Sequence, residues 1–127
     1  MDKIVWDKKY SVGNAEIDEQ HKKLFEILNR CAVAEKRSSS KYLVIVRELL
    51  NYCQEHFRLE EQLMLEVNYP DMASHVAEHK KILNAVETLV EKLYAGEQID
   101  SDVIDRFVAS WVKKHIITKD LPLKKYL

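Results

Sequence analysis

Apolar residues recur at helical spacing through four stretches of this chain, and short runs of turn-forming residues separate the stretches. The first stripe is Ile17, His21, Leu24, Phe25, Leu28, Cys31 and Ala32; the second is Ile45, Leu49, Tyr52, Cys53, His56, Glu60, Leu63 and Met64. The third comprises Met72, His75, Val76, His79, Ile82, Leu83, Val86, Leu89 and Leu93, and the fourth Ile104, Phe107, Val108, Trp111, Val112, His115 and Ile116. Residues three and four apart share one face of a helix, so each stretch reads as an amphipathic helix. The breaks are Arg37-Ser38-Ser39-Ser40, Asn68-Tyr69-Pro70 and Ala95-Gly96-Glu97. Proline cannot continue a helix, and serine and glycine favour turns. The pattern predicts helices from an N-cap near Asp18, over about 40–67, over about 71–94, and from Asp100 or Ser101 to before Leu121-Pro122. Two glycines and two prolines in 127 residues leave few turns for a β-rich fold. The expectation is an all-α chain in one domain, residues 1–127. It is an antiparallel up-down-up-down four-helix bundle (17–127) with an extended N-terminal arm (1–16) anchored by Trp6, Tyr10 and Val12.

The stripes carry groups that do not belong in an ordinary core. All five histidines lie on them, together with Glu60. His56 and Glu60 are four residues apart, as are His75 and His79, so each pair shares a helix face. One histidine on an apolar stripe is usually a hydrogen-bonded core residue, but a carboxylate there needs a strong partner. Chain arithmetic gathers them. Two residues equidistant from an antiparallel turn sit at one level. The midpoint of His21 and His56 falls between Ser38 and Ser39, that of Glu60 and His79 between Tyr69 and Pro70, and that of His79 and His115 at Glu97. Each is a turn already located from Gly, Pro and Ser, so one layer of the bundle collects ligands from all four helices. Asp120 follows His115 by five residues, about 140° around a continuous α-helix. Its carboxylate reaches the same layer only if the helix unwinds near Thr118, where the approach of Pro122 makes an ending plausible. Seven ligands exceed the three or four that one zinc takes and suit two octahedral metals that share bridging groups.

The rest of the composition narrows the class. Net charge is −1 with both signs interspersed, which gives no basic patch for nucleic acid and no acidic tail. The N-terminus lacks the apolar core of a secretory signal, and no apolar run approaches a membrane span. The expectation is a cytoplasmic protein. Cys31 and Cys53 read as small buried apolar residues too far apart in level to pair. Glu61 and Glu78 adjoin ligands but point about 100° away, which reads as solvated surface. The lysine pairs Lys22-Lys23 and Lys124-Lys125 read the same way.

Four segments together resemble the hemerythrins: IDEQHKKLF (Ile17 to Phe25), HFRLEEQLM (His56 to Met64), YPDMASHVAEH (Tyr69 to His79) and WVKKHIITKD (Trp111 to Asp120). The opening VWDKKYSVGNAEID (Val5 to Asp18) is similar to the single-domain bacterial branch, the bacteriohemerythrins. The resemblance implies a non-haem di-iron centre with two iron ions per chain, joined by an oxo or hydroxo bridge. By resemblance His75, His79 and His115 bind one iron, His21 and His56 the other, and Glu60 and Asp120 bridge them, leaving one position open on the iron held by His21 and His56. It further implies reversible dioxygen binding, for storage or for delivery to an oxygen-using enzyme, and not catalysis. The alternative is an oxygen or redox sensor acting through a separate partner protein. Phe25, Phe57, Trp111, Val112 and Ile116 lie within a turn of the ligands and are expected to wall the oxygen pocket. Val112 stands where animal members often carry leucine. Ferritin-like di-iron oxidases pair Glu-x-x-His motifs with further carboxylates, and this chain has no Glu-x-x-His.

Overall fold

The computed structural model describes residues 5–33, 39–97 and 112–127. Three long helices dominate: α1 (Ala15–Val33), α2 (Ser39–Glu66) and α3 (Met72–Tyr94). A fourth helical segment enters at residue 112 and runs into a π-helical turn, Ile116–Asp120, then a 3-10 turn, Leu121–Lys125. The described residues include no strand, and the fold is an all-α helical bundle. α2 packs on both α1 and α3. The body of the predicted fourth helix, with Ile104, Phe107, Val108 and Trp111, lies outside the described residues, as does the side chain of Ala32.

Local chemistry sets the helix ends. The predicted N-cap at Asp18 is one turn late. α1 starts at Ala15, and Asn14 caps it by accepting from the Ile17 N–H at 3.0 Å. Asp18 instead ties down the arm, accepting from the Val12 N–H at 3.0 Å and from the Ser11 hydroxyl. The arm is not fully extended either. Lys8–Tyr10 forms a 3-10 turn, because the Asp7 carboxylate accepts from the Lys9 N–H at 3.0 Å. Tyr10 and Val12 are buried, and the Trp6 ring lies 4.6 Å beneath the Lys22 ammonium.

α2 ends where the sequence places the break. Asn68 adopts φ 53°, and the Tyr69 N–H reaches back to the Met64 carbonyl at 2.9 Å. This is the Schellman closure, and asparagine tolerates the left-handed conformation it needs. Gly96 does the same for α3 at φ 79°, with the Glu97 N–H on the Lys92 carbonyl at 3.1 Å.

The buried apolar residues form two clusters. The larger includes Leu24, Phe25, Leu28, Val46, Leu49, Cys53, Phe57, Ile82, Val86, Leu89, Val112 and Ile116. The smaller is Met64, Tyr69 and Leu123. Each fully buried Leu, Ile or Phe stabilises the fold by about 1.5–3 kcal/mol. Ile45, placed on the second stripe, is only half-buried, and its neighbours Tyr42 and Val46 are buried instead. Cys31 and Cys53 are both buried, and no disulfide joins them. No described helix is long and apolar enough to cross a membrane.

Candidate metal centre

The structure brings together all seven polar groups singled out by their spacing. His21, His56, Glu60, His75, His79, His115 and Asp120 are each at most 5% exposed. Their facing atoms form two sets, each with all ligand atoms within 4.8 Å of one another. One set is His75, His79 and His115 with Glu60 and Asp120; the other is His21 and His56 with the same two carboxylates. The carboxylates divide their oxygens between the sets. Glu60 Oε1 lies 3.0 Å from His79 Nε2 and 3.4 Å from His75 Nε2. Its Oε2 lies 3.0 Å from His56 Nε2 and 3.3 Å from His21 Nε2. Asp120 Oδ1 faces His75 at 2.8 Å and His115 at 3.1 Å, while Oδ2 faces His21 at 3.0 Å.

Asp120 gets there by a route other than the predicted one. The helix does not unwind near Thr118; it widens. Residues Ile116–Asp120 form a π turn, and the Leu121 N–H bonds the Ile116 carbonyl five residues back. Residues five apart then come into register, so Asp120 falls under His115 with the backbone still helical. Such single wide turns inside α-helices gather at functional sites. Lys119 Nζ donates to the Ser74 hydroxyl on α3 at 3.0 Å, which pins the turn.

These atoms approach one another without satisfying one another. Nε2 of His21, His56, His75 and His115, Glu60 Oε2 and both Asp120 oxygens are buried with no hydrogen-bond partner among the described residues. Buried polar atoms are otherwise almost always paired. A cation within each set would satisfy them, and imidazole with carboxylate suits iron among the first-row metals. The donor set therefore fits a metal centre.

Without a cation the cluster must neutralise itself. Burial pushes the His21 imidazole down, but the Asp120 and Glu60 carboxylates outweigh it and raise its pKa from 6.5 to about 9. His75 is raised to about 9 by the same opposition of burial against Asp120 and Glu60. Burial pushes both carboxyls up, and Asp120 is pushed up further by Glu60. The facing imidazoles, His56 first for Glu60 and His115 first for Asp120, reverse this and hold both carboxyls below their usual range. A group whose pKa is raised by folding stabilises fully below its unfolded pKa and loses that contribution as pH rises through the folded value. Chelator-treated protein is thus expected to lose stability between about pH 6.5 and 9 in urea titrations, as His21 and His75 deprotonate. A stability that stayed level across that interval would contradict the ion-paired cluster.

Two further residues hold imidazoles from outside. His56 Nδ1 lies 2.6 Å from Gln20 Oε1, and His79 Nδ1 lies 2.9 Å from Glu61 Oε2. With Nε2 turned inward, Nδ1 carries the proton and these oxygens accept it. Glu61 is therefore not idle surface, as its place beside a ligand suggested. Both partners were legible. Gln20 and His56 are equidistant from residue 38, and Glu61 and His79 from Pro70, so the antiparallel geometry that gathers the ligands also gathers their supports. Phe57 stacks on His79 with ring centres 3.9 Å apart and planes 8° apart.

A cavity of about 10 Å³ adjoins the His21/His56 side. His21, His56, His115 and Asp120 supply its polar wall; Leu24, Cys53, Phe57, Ile82, Val112 and Ile116 close it. All are buried. Of the expected pocket residues, Phe57, Val112 and Ile116 line it. Phe25 does not; it packs edge-on against Tyr10 with ring centres 5.7 Å apart. Trp111 lies outside the described residues. Leu24, Cys53 and Ile82, passed over in the sequence, lie on the same stripes as the ligands.

The hemerythrin HHE cation-binding domain matches residues 12–126. The chain belongs to the hemerythrin family. Among its relatives, a hemerythrin-like protein of Naegleria gruberi is 35% identical, over 96% of this chain and 92% of that one. A bacteriohemerythrin of Clostridium acetobutylicum is 32% identical, over 92% and 95%. The backbone matches a crystal structure of wild-type hemerythrin with a TM-score of 0.86 at 29% identity, covering 98% of this chain and 97% of that one. A crystal structure of a hemerythrin mutant matches with a TM-score of 0.88, also at 29% identity. The buried histidine–carboxylate cluster thus belongs to a family of metal-binding helical bundles.

Proposed function

We propose that this hemerythrin binds dioxygen reversibly at a pair of iron ions, for storage or for delivery to an oxygen-using enzyme. The observation that supports this best is the division of Glu60 and Asp120, each offering one oxygen to either set of imidazoles. That is the arrangement of bridging ligands. His75, His79 and His115 would hold one ion, and His21 and His56 the other. The second set has one imidazole fewer, and both of its imidazoles line the cavity, together with His115. When bound, a ferrous pair supplies the two electrons that dioxygen takes up and returns on release.

The chain's own residues make such binding reversible. The apolar wall of Leu24, Phe57, Ile82, Val112 and Ile116 excludes water, and with it the protons that would draw off a reduced product. A cavity of about 10 Å³ holds about one small molecule. The Cys53 thiol, also in the wall, is pushed up to about 12 by burial and so stays protonated and unreactive. Among the described residues of the wall, none but the ligands is placed to take a proton, which favours binding over turnover.

Val112 is one of the six side chains besides the ligands that bound the cavity, and one of the smallest of them. Val112→Leu is expected to fill the cavity and to slow both oxygen release and autoxidation relative to the natural chain, in stopped-flow release into an oxygen scavenger. Equal rates in the two proteins would remove Val112 from this role. The function itself is tested by anaerobic reduction of the iron-loaded protein followed by air. A visible absorption band that appears with air and disappears under vacuum, through repeated cycles, is expected. Irreversible bleaching on the first exposure would contradict reversible binding.

A further inference from the structure

Charge along the chain is divided in a way that the overall value of −1 conceals. Residues 112–127 carry five lysines, Lys113, Lys114, Lys119, Lys124 and Lys125, and one acidic side chain, the buried Asp120. That segment is net +4, so the remaining 111 residues are net −5. The fold sets part of this charge over the candidate metal centre. A groove of about 340 Å³ runs between α3 and the C-terminal segment, lined by Glu78, Lys81, Lys114, His115, Thr118 and Lys119. Glu78 is 3.6 Å from Lys81 and offsets one of the three lysines.

The floor of the groove is His115. It is 5% exposed, whereas the other four imidazoles of the cluster are 0–1% exposed. His115 Nε2 points inward to Asp120 at 3.1 Å, and its Nδ1 has no partner among the described residues. A second depression, lined by Tyr69, Asp71, Ser74, His75, Thr118, Lys119 and Pro122, adjoins the first across the Lys119–Ser74 hydrogen bond. Basic surface and the most accessible imidazole therefore coincide, on the set that carries three histidines. The dioxygen cavity is lined by both imidazoles of the other set, and His115 separates it from the groove, contributing to the wall of each.

We propose that this lysine groove is the docking site of an acidic electron-donor protein, which returns oxidised iron to the ferrous form through the His115 ring. The proposal rests on the di-iron reading and gives that site a partner. Any oxygen site of this kind that loses an electron needs one back, and the apolar cavity is closed to a protein. Opposite charge brings partners together fast and orients them, and the attraction weakens with salt. Each donor gives up one electron and leaves oxidised, so two encounters restore an oxidised pair. The electron enters at the groove-facing edge of His115, the least deeply buried imidazole of the cluster.

The test uses a plant-type ferredoxin, a small acidic iron–sulfur protein, as the probe. Binding of oxidised ferredoxin to the purified protein is measured by calorimetry at low and at 0.3 M salt. Reduction of the iron-loaded protein by reduced ferredoxin is measured by stopped flow. The triple variant Lys81→Glu, Lys114→Glu, Lys119→Glu is compared, at equal iron content, with Lys8→Glu, Lys23→Glu, Lys92→Glu, which changes net charge equally but elsewhere, and with Lys119→Ala, which removes the contact to Ser74 without reversing the charge. The groove variant is expected to lose on the order of tenfold in affinity and in reduction rate, together with the salt dependence, while the control triple keeps both. Equal losses in the two triple variants, or no ferredoxin binding by the natural chain, would overturn the proposal. Self-association of the natural chain that the groove variant abolishes would also overturn it, assigning the groove to a second copy. A chain that binds ferredoxin at the groove yet takes up no iron would instead contradict the di-iron reading, which keeps the two failures apart.

Discussion

Glu60→Ala is expected to abolish metal binding and to loosen the fold. Glu60 is completely buried, and its two oxygens face four imidazoles, His75 and His79 from one and His56 and His21 from the other. Removing them takes a shared ligand from both sets at once. In the metal-free chain it also strips His21 and His75 of one of the two carboxylates that offset their burial. Removing one partner of a buried ion pair costs about 3–5 kcal/mol. In the loaded protein the loss is larger, because metal binding energy is partly folding energy. Metal analysis should fall from about two irons per chain to well below one, and the urea midpoint should drop in both states. Full iron content in the variant would show that Glu60 is no bridge. Glu60→Gln separates charge from shape: it keeps one acceptor oxygen and is expected to recover part of the stability but little of the metal.

The second large effect is expected at a residue that touches no metal. Glu61 is one position from Glu60 and a third exposed, yet it accepts from His79 Nδ1 at 2.9 Å. A carboxylate behind an imidazole fixes which nitrogen faces inward and makes it a better donor; losing such a partner typically weakens metal binding by about 10–100-fold. Glu61→Ala is expected to show that loss in competition with a chelator. Glu61→Gln, which keeps an acceptor without the charge, should fall between. Gln20 makes the corresponding contact to His56 with a neutral amide, so Gln20→Ala is expected to cost less. If Glu61→Ala bound iron as tightly as the natural chain, the contact to His79 would be incidental.

Much of this was legible because the histidine layer obeys a simple geometry. Levels in an antiparallel bundle follow from distance to the turn, and the turns were marked by Asn68-Tyr69-Pro70 and Ala95-Gly96-Glu97. His21, His56, Glu60, His75, His79 and His115 therefore fell into one layer from spacing alone. Asp120 joins that layer by another path than unwinding. A π turn is a matter of one extra residue in a helix, and nothing in Ile116-Ile117-Thr118-Lys119 announces it beyond the five-residue interval itself. Asp18 was mistaken for a helix cap because aspartate serves either as cap or as anchor for a preceding strand of chain; the nearer Asn14 took the first role, and the Val12 amide drew Asp18 into the second. Phe25 was assigned to the cavity by proximity in sequence. It shares the stripe with Leu24, but the arm brings Tyr10 against its ring, and Leu24 faces the cavity instead. Side-chain direction within a stripe depends on what the neighbouring segment fills, and spacing does not carry that.

The most direct measurement is diffraction from crystals loaded with ferrous iron, recorded on both sides of the iron absorption edge. Two anomalous peaks are expected about 3.5–4 Å apart, the separation of metals in two-metal sites. One should lie among His75, His79 and His115 and the other between His21 and His56, with Glu60 and Asp120 contacting both. A single peak, or two peaks that share neither carboxylate, would contradict the account.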